Sequence, residues 1–359
     1  MCIFYFSPWC AAAEPPIRVA IVGLVHGHVK GFLSALPNNE SATLVAIVEP
    51  QKLLAEEYAA KYHLDSKLFY SDLEKMLAEQ HPDAVLVYTT IAAHRQVIEA
   101  AARHGIHSMV EKPLATTLAD ALAIRAIARK QHVQVLVNYE TTWYASNQEV
   151  FAEVAQGKLG EVRKVVVHDG HEGPKEINVG PEWLPWLTDP AQAGAGALFD
   201  FGCYGADLMT VLMRGEPPTN VTAVTQTDKP EIYPRVDDDA TIILRYPKTQ
   251  AVLMPSWNWS FARKDMEVYG TAGSAITVGA NTLRERYRGA SEESRITAPP
   301  LAKSQSDSLD YLAGVLRKHV NPSSGLSSLE TNVIVMQILD AALRSAQSGK
   351  TIPITPLPE

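Results

Sequence analysis

The sequence predicts a chain in two parts, a doubly wound parallel α/β sheet followed by an α+β domain with a large, mainly antiparallel, open-faced sheet. In residues 17–138, short apolar strand patterns alternate with helical ones, which is typical of parallel sheets with right-handed crossovers. From about Asn138 onward, longer strand patterns follow one another without intervening helices. We therefore expect a leader over 1–16, a first domain over 17–138 and a second domain over 139–359.

Composition limits the classes of partner. The 359 residues are 46% hydrophobic, which is enough for two cores, and the net charge of −8 argues against nucleic acid or an anionic membrane surface as the main partner. No run of 18 apolar residues is present, so no membrane span is predicted. The three cysteines, Cys2, Cys10 and Cys203, imply no disulfide framework.

The leader, MCIFYFSPWCAAA before Glu14, resembles the end of a signal peptide and predicts a periplasmic or otherwise exported protein. It lacks the positively charged segment that begins such peptides. A tail on a cytoplasmic protein is therefore the alternative.

The first strand pattern, Ile17 to Val22, runs into a glycine turn and a short helix, the arrangement that binds a dinucleotide through backbone N–H groups. The G-x-G-x-x-G pattern is incomplete, because Val25 and His28 stand where its second and third glycines would be. We predict cofactor contacts from five residues of this Rossmann-like turn: Gly23, Val25, His26, Gly27 and His28.

Glu49 ends the second strand pattern, 26 residues after Gly23. A carboxylate there can accept hydrogen bonds from the adenosine ribose and repel a 2′-phosphate, which favours NAD over NADP. Alternatively, Glu49 stabilises the amino terminus of the helix predicted from Gln51 to Tyr62.

Two further strand patterns end in polar residues. The first, Ala84 to Tyr88, precedes Thr89, Thr90 and His94, which we assign to the cofactor site. The second leads to Glu111-Lys112-Pro113, and it places a carboxylate and an ammonium at the rim of the sheet where such folds bind ligands. Lys112 would then face both nicotinamide and substrate, although an isolated lysine before a loop is usually just solvated.

The stretch Gly194 to Asp207 carries the remaining chemistry. A glycine-rich loop runs into a helix predicted to continue to about Met213, with Asp200 and Tyr204 four residues apart on one face. A helix amino terminus and a nearby lysine would lower the pKa of the Tyr204 phenol toward neutrality. The alternatives are an N-cap role for Asp200 and core packing for Tyr204.

Glu111-Lys112-Pro113 together with D-x-G-x-Y-x-x-D at Asp200–Asp207 resembles the Gfo/Idh/MocA family of oxidoreductases, over about residues 17–354. The resemblance implies that Lys112 and Tyr204 are the catalytic pair, that Asp200 orients a substrate hydroxyl, and that this chain falls in the branch with tyrosine rather than histidine. It further implies hydride transfer between NAD and a hydroxyl or ketone carbon of a pyranose sugar or polyol. Two alternatives stay open, an NAD-dependent glycosidase working by transient oxidation and elimination, and a non-catalytic NAD- or sugar-binding regulator.

Several polar and aromatic residues are candidates for the substrate pocket, namely Asn138, His171 and Trp183. The tryptophans Trp186, Trp257 and Trp259 could also stack on a sugar, although core packing is their usual role. No metal is predicted, since His168 and His171 supply too few ligands.

The stretch Arg263-Lys264-Asp265 is interpreted as a solvated turn. Apolar residues on the open face of the second sheet predict a homodimer or homotetramer.

Overall fold

The computed structural model describes residues 14–357, and the predicted leader therefore lies mostly outside the described residues. Its first sheet has six parallel strands in the order β3-β2-β1-β4-β5-β6, which confirms the doubly wound prediction. These strands are β1 (Ile17–Val22), β2 (Ala42–Val48), β3 (Phe69–Tyr70), β4 (Ala84–Val87), β5 (His107–Glu111) and β6 (Val135–Asn138).

Five helices connect these strands: α1 (His28–Ala35), α2 (Lys52–Lys61), α3 (Leu73–Gln80), α4 (His94–Arg103) and α5 (Leu118–Gln131). Two of them begin at side-chain caps, because Asp72 accepts the N–H of Lys75 at 2.7 Å and Thr117 accepts that of Asp120 at 3.1 Å. Helices cover both faces of the sheet, and the central strand β4 is accordingly apolar and buried along its whole length.

The second sheet has nine strands in the order β14-β13-β12-β11-β7-β10-β9-β8-β15, and it is antiparallel except where β7 meets β10. The strands are β7 (Val162–Gly170), β8 (Asn220–Gln226), β9 (Asp239–Arg245), β10 (Gln250–Ser256), β11 (Arg263–Gly270), β12 (Gly273–Gly279), β13 (Thr282–Tyr287), β14 (Ser294–Thr297) and β15 (Ile352–Pro353). The mainly antiparallel second sheet is thus confirmed.

The helices of the remaining chain are α6 (Ala145–Ala155), α7 (Leu184–Leu187), α8 (Pro190–Ala193), α9 (Ala197–Asp200), α10 (Gly202–Leu212), α11 (Ser308–Leu316) and α12 (Leu329–Ser348). Of these, α6, α9, α10 and α12 pack on strands of the second sheet and cover one of its faces. No helix among residues 14–357 is long and apolar enough to cross a membrane.

The last third of the chain returns to the first sheet. Leu309 and Leu312 of α11 are buried in one cluster with Val19 of β1. Near α12, the backbone carbonyl of Ser327 accepts the N–H of Val137 at 3.0 Å, on the edge strand β6. The first sheet is therefore completed by residues that follow the second sheet in the chain.

The structure corrects the interpretation of Arg263-Lys264-Asp265. This stretch does not form a solvated turn but begins strand β11, whose Lys264 pairs in register with Asp169 of β7. The Lys264 side chain is only 20% exposed. Because side chains alternate along a strand, Lys264 and Asp169 lie on the helix-covered face together with Met266 and Val167.

Candidate active site

The glycine turn after β1 requires glycine at its first position. Gly23 has φ +84°, and a Cβ atom there would lie 2.7 Å from Cγ2 of Thr89. The turn is held by its backbone, since the N–H of Gly23 donates to Val48 at 2.8 Å and that of His26 to Tyr88 at 3.0 Å. The loops after β1 and β4 thus meet at the carboxyl ends of their strands.

Glu49 supports this turn from β2. Its two carboxylate oxygens accept the backbone N–H groups of Leu24 and Gln51, each at 2.9 Å. Burial raises the pKa of Glu49, and the two backbone hydrogen bonds oppose that shift. Each oxygen keeps a further acceptor position, so the predicted contact to a ribose is compatible with this geometry.

Two tryptophans from the second domain cover the turn. A Cβ atom on Gly27 would lie 2.1 Å from the Trp183 ring, and the Trp186 indole N–H donates to the carbonyl of Val25 at 3.2 Å. The Trp183 ring centroid lies 4.7 Å from that of His26. Trp183, predicted at the substrate, therefore packs on the cofactor turn instead.

A chain of hydrogen bonds links the turn to the end of β6. His28 Nδ1 lies 2.8 Å from Glu111 Oε2, and the Asn138 amide donates to Glu111 Oε1 at 3.0 Å. The Trp143 indole in turn donates to Asn138 at 3.2 Å. Burial alone would raise the pKa of Glu111, but these partners, His28 first, lower it to about 2. The Glu111 carboxylate is therefore ionised and holds His28 in the place of the third motif glycine.

Lys112 forms a buried ion pair with Asp200. Its ammonium also donates to the backbone carbonyl of Asp200 at 2.8 Å, and the other carboxylate oxygen accepts the Trp257 indole N–H at 2.9 Å. Burial would raise the pKa of Asp200, but Lys112 outweighs it and lowers the pKa to about 2. Burial would likewise lower the pKa of Lys112, but Asp200 raises it above its usual value. Both groups are charged at neutral pH.

Tyr204 lies beside this pair and is 1% exposed. The Lys112 ammonium is 5.1 Å from its ring centroid, and the Tyr139 ring meets it edge-on at 5.3 Å. Burial raises the pKa of Tyr204 well above its usual value, and nearby acidic groups add to that effect. The predicted shift toward neutrality is therefore wrong for this structure, because burial of the phenol raises its pKa.

Asp200 and Tyr204 do not share one helix as predicted. Helix α9 ends at Asp200, Phe201 interrupts the helix, and α10 begins at Gly202. The loop before α9 is fixed by Asp237, whose carboxylate accepts the N–H groups of Gly196 at 3.0 Å and Leu198 at 2.7 Å. The break lets Asp200 face Lys112 while Tyr204 occupies the first turn of the following helix.

Comparison with known proteins identifies this arrangement. Residues 17–139 match the family model described as an oxidoreductase family with an NAD-binding Rossmann fold, and residues 147–276 match the GFO/IDH/MocA C-terminal domain. The chain belongs to the GFO/IDH/MocA family. It is accordingly an NAD(P)-dependent oxidoreductase with an NAD-binding amino-terminal domain.

Relatives within the family share modest identity over most of the chain. 1,5-Anhydro-D-fructose reductase of Ensifer adhaerens is 26% identical over 74% of this chain and 80% of its own length. Trans-1,2-dihydrobenzene-1,2-diol dehydrogenase of Xenopus tropicalis is 24% identical over 89% of this chain and 94% of its own. The crystal structure of aldose-aldose oxidoreductase from Caulobacter crescentus with glycerol matches with a TM-score of 0.80 at 25% identity, over 94% of this chain and 99% of that one.

The remaining predicted residues of this GFO/IDH/MocA site are placed as follows. His94 is fully buried, and its Nδ1 lies 3.2 Å from the carbonyl of Leu114, so it supports the turn after Pro113 rather than facing the cleft. Thr89 donates to the carbonyl of Thr90 at 3.0 Å beside Gly23. The His171 ring meets Phe201 edge-on at 4.9 Å. Thr89 and His171 thus lie at the cofactor turn and next to Asp200, respectively.

Cavities show where ligands could enter. A cleft of about 630 Å³ is lined from Gly27 and His28 past Glu111 and Asn138 to Glu140. It joins the amino terminus of α1 to the end of β6, where the cofactor turn meets Asn138, one of the predicted substrate residues. The cleft therefore has the size and lining of a small-molecule site.

Three residues make contacts at this site that the sequence did not reveal. Trp257 is fully buried, so it cannot stack on a sugar and instead orients Asp200. Asp237 has no distinctive signal in the sequence, and only its contacts reveal that it holds the loop before α9. The Lys264 ammonium lies 5.0 Å from the Tyr204 ring centroid, which no local sequence signal could predict because the two residues are 60 positions apart in the chain.

Proposed function

We propose that the enzyme transfers a hydride between NAD and a carbon that bears a hydroxyl or ketone group in a pyranose sugar or polyol, and that it belongs to the tyrosine branch of its family. The observation that carries this proposal is the buried Lys112–Asp200 ion pair beside Tyr204, at the end of β5 and next to the cofactor turn. Relatives named as an anhydrofructose reductase and an aldose-aldose oxidoreductase support the substrate class.

The residues around the turn fit a dinucleotide. Gly23 and Gly27 leave no room for side chains, and α1 begins directly after the turn, so its amino-terminal dipole would favour a pyrophosphate there. Glu49 would accept hydrogen bonds from the adenosine ribose, and its carboxylate disfavours a 2′-phosphate. The bound nicotinamide supplies the hydride acceptor or donor. We therefore propose NAD rather than NADP as the working cofactor.

Tyr204 exchanges the hydroxyl proton of the substrate. Because its pKa is raised, the phenol is protonated at neutral pH and can donate to a carbonyl oxygen. In the reverse direction it must first lose that proton, so oxidation should become faster as the pH rises. Lys112, anchored by Asp200, places a positive charge where the substrate oxygen becomes negative.

Polar groups along the cleft suit a polyhydroxylated ligand. Asn138 lines it, and His171 packs edge-on against Phe201, the residue that follows Asp200. Burial lowers the pKa of His171, so the imidazole is neutral and can both donate and accept hydrogen bonds. An amide in the cleft and a neutral imidazole near the Lys112–Asp200 pair match the hydroxyls of a sugar or polyol better than an apolar substrate.

The test combines cofactor reduction with product analysis. The purified enzyme is given NAD or NADP and a panel of sugars, polyols and glycosides, with absorbance of the reduced cofactor and NMR spectra followed in the same tube. Tyr204→Phe and Lys112→Met should each lower kcat/KM by about 10²- to 10⁴-fold. Tyr269→Phe, on the outer face of β11, should leave it unchanged.

The outcomes separate the alternatives. Aglycone release without net cofactor reduction would overturn the proposal in favour of the elimination route. Full activity in Tyr204→Phe would refute the assigned proton donor. The relatives, named as reductases, dehydrogenases and oxidoreductases, give no support to the glycosidase or the regulator.

We also propose that two or more copies associate through the open face of the second sheet. One row across this face joins Ile243, Val252 and Val166 in register, all only partly buried. Val224 and Val278 on the same sheet are 64% and 40% exposed. A second copy of this chain would cover these apolar side chains.

Export remains a proposal that rests on residues 1–13. Fractionation of cells that express the full chain would test it, because a mature protein cleaved before Glu14 should appear outside the cytoplasm. Recovery of uncleaved protein from the cytoplasm alone would refute it.

A further inference from the structure

Lys264 brings an additional ammonium group to Tyr204. Its Nζ lies 5.0 Å from the centroid of the Tyr204 ring, as close as the 5.1 Å of Lys112. Lys264 belongs to β11 in the second domain, whereas Lys112 follows β5 in the first. The phenol therefore has a cation from each of the two sheets within reach.

Glu140 holds Lys264 in this position. The two side chains form an ion pair that joins the segment after β6 to β11, with Glu140 52% exposed and Lys264 20% exposed. The Tyr144 hydroxyl donates to the other carboxylate oxygen of Glu140 at 2.5 Å. Burial would raise the pKa of Glu140, but Lys264 outweighs it and lowers the pKa, so the carboxylate is ionised.

We propose that Lys264 is a positioning residue for proton transfer, which acts through Tyr204 by supplying positive charge that Glu140 holds in place and partly offsets. This inference rests on the proton-exchanging role of Tyr204 in the proposed function. It assigns opposite effects to the two members of one ion pair, since the ammonium favours the phenolate and the carboxylate disfavours it.

Among the titratable groups around the Tyr204 phenol, Lys264 and Glu140 form the pair whose charges substitutions can vary. Lys112 and Asp200 compensate each other, and the Glu111 carboxylate contacts the Asn138 amide and the His28 ring. Five further titratable residues near Tyr204 are uncharged at neutral pH, because burial raises the pKa of the carboxyl, thiol and phenol groups and lowers that of the imidazole. They are Asp169, Cys203, Asp207, Tyr139 and His171. Removal of one member of the Lys264–Glu140 pair therefore changes the net charge near Tyr204 by one.

The expected size follows from distance and screening. A unit charge about 5–7 Å away at a partly exposed site changes a pKa by on the order of one unit. In the oxidative direction, where Tyr204 must lose its proton, kcat/KM below the pKa should change by roughly tenfold for such a shift.

The experiment compares Lys264→Met, Lys264→Arg and Glu140→Gln in the full-length enzyme over pH 6–10, in both reaction directions. Lys264→Met should lower oxidative kcat/KM about tenfold at a given pH, and Glu140→Gln should raise it severalfold. Lys264→Arg should stay within about twofold of the wild type because it keeps the charge. Lys248→Met, an exposed lysine paired with Glu161 at 2.8 Å, is the matched control and should change nothing.

A merely structural pair would give a different pattern. If Glu140→Gln lowers activity as Lys264→Met does, or if neither changes the rate, the inference is overturned. A misfolded Lys264→Met would not decide the matter by itself, but the gain expected of Glu140→Gln cannot come from a damaged fold. Full activity of Tyr204→Phe would refute the proposed function itself, whereas an inactive Tyr204→Phe with unchanged Lys264 and Glu140 variants would refute only the role of Lys264.

Discussion

Asp200→Asn tests the buried ion pair at the centre of the site. The Asp200 carboxylate contacts the Lys112 ammonium through one oxygen and the Trp257 indole through the other. The substitution keeps the shape of the side chain and removes its charge, so Lys112 is left buried with neutral oxygen acceptors alone. Loss of one partner of a buried pair destabilises a protein because the remaining charge is uncompensated.

The magnitude follows from the lowered pKa of Asp200. The shift from 3.8 to about 2 corresponds to about 2 kcal/mol of stabilisation in the folded state. Because the folded-state pKa is depressed, this stabilisation is present above pH 3.8 and is lost as the pH falls toward 2. Asp200→Asn should therefore lower the free energy of unfolding by about 2–3 kcal/mol at pH 7, and the deficit should shrink below pH 4.

Urea titrations followed by circular dichroism between pH 3 and pH 7 would measure this difference. Asp340→Asn is the control, since Asp340 forms a partly exposed pair with Arg344 at 3.3 Å and should contribute less than about 0.5 kcal/mol. A deficit below about 0.5 kcal/mol at pH 7, or one that stays constant down to pH 3, would refute the electrostatic account of the pair.

Two further predictions concern a buried acid and the open sheet. Asp207 is fully buried, its carboxylate has no hydrogen-bond partner among the described residues, and burial raises its pKa, so the wild type should lose stability as the pH rises. Asp207→Asn should match the wild type near pH 4 and unfold at a temperature a few degrees higher at pH 9. Parallel pH profiles of the two proteins would contradict this prediction. Val252→Glu should shift the enzyme to a smaller species in sedimentation velocity, whereas Leu53→Glu on exposed α2 should not, and a wild type that already sediments as a monomer would rule out the interface.

The first sheet and the polar ends of its strands could be predicted because their signals are local. Apolar runs such as Ile17–Val22 are buried on both faces, and Glu111 and Lys112 follow directly from the end of β5. Gly23 is detectable for a similar reason, since its positive φ and close approach to Thr89 require glycine. In such segments the local sequence is enough to predict both the backbone conformation and the burial of the residues.

The rest of the site depends on contacts between distant residues. The break at Phe201 is invisible in a helical pattern, because Asp237, more than 35 residues away, fixes the loop that precedes it. Strands β13 and β14 were not predicted, since charged residues such as Arg284, Glu285 and Arg286 dilute the apolar signal. The pKa of Tyr204 was predicted in the wrong direction because the extent of burial is a property of the assembled fold.

The return of the chain to the first sheet constrains how this enzyme can be recombined with its relatives. A chimera that exchanges the chain only up to the end of β6 would separate Val19 from its native packing partners Leu309 and Leu312. It would also remove the native hydrogen bond between Ser327 and Val137 on the edge strand β6. It would also break the hydrogen bond of 2.8 Å from the Tyr139 hydroxyl to Asn332. A graft that transfers cofactor preference should therefore carry residues 14–139 together with residues 303–339, because the two segments pack as one structural unit.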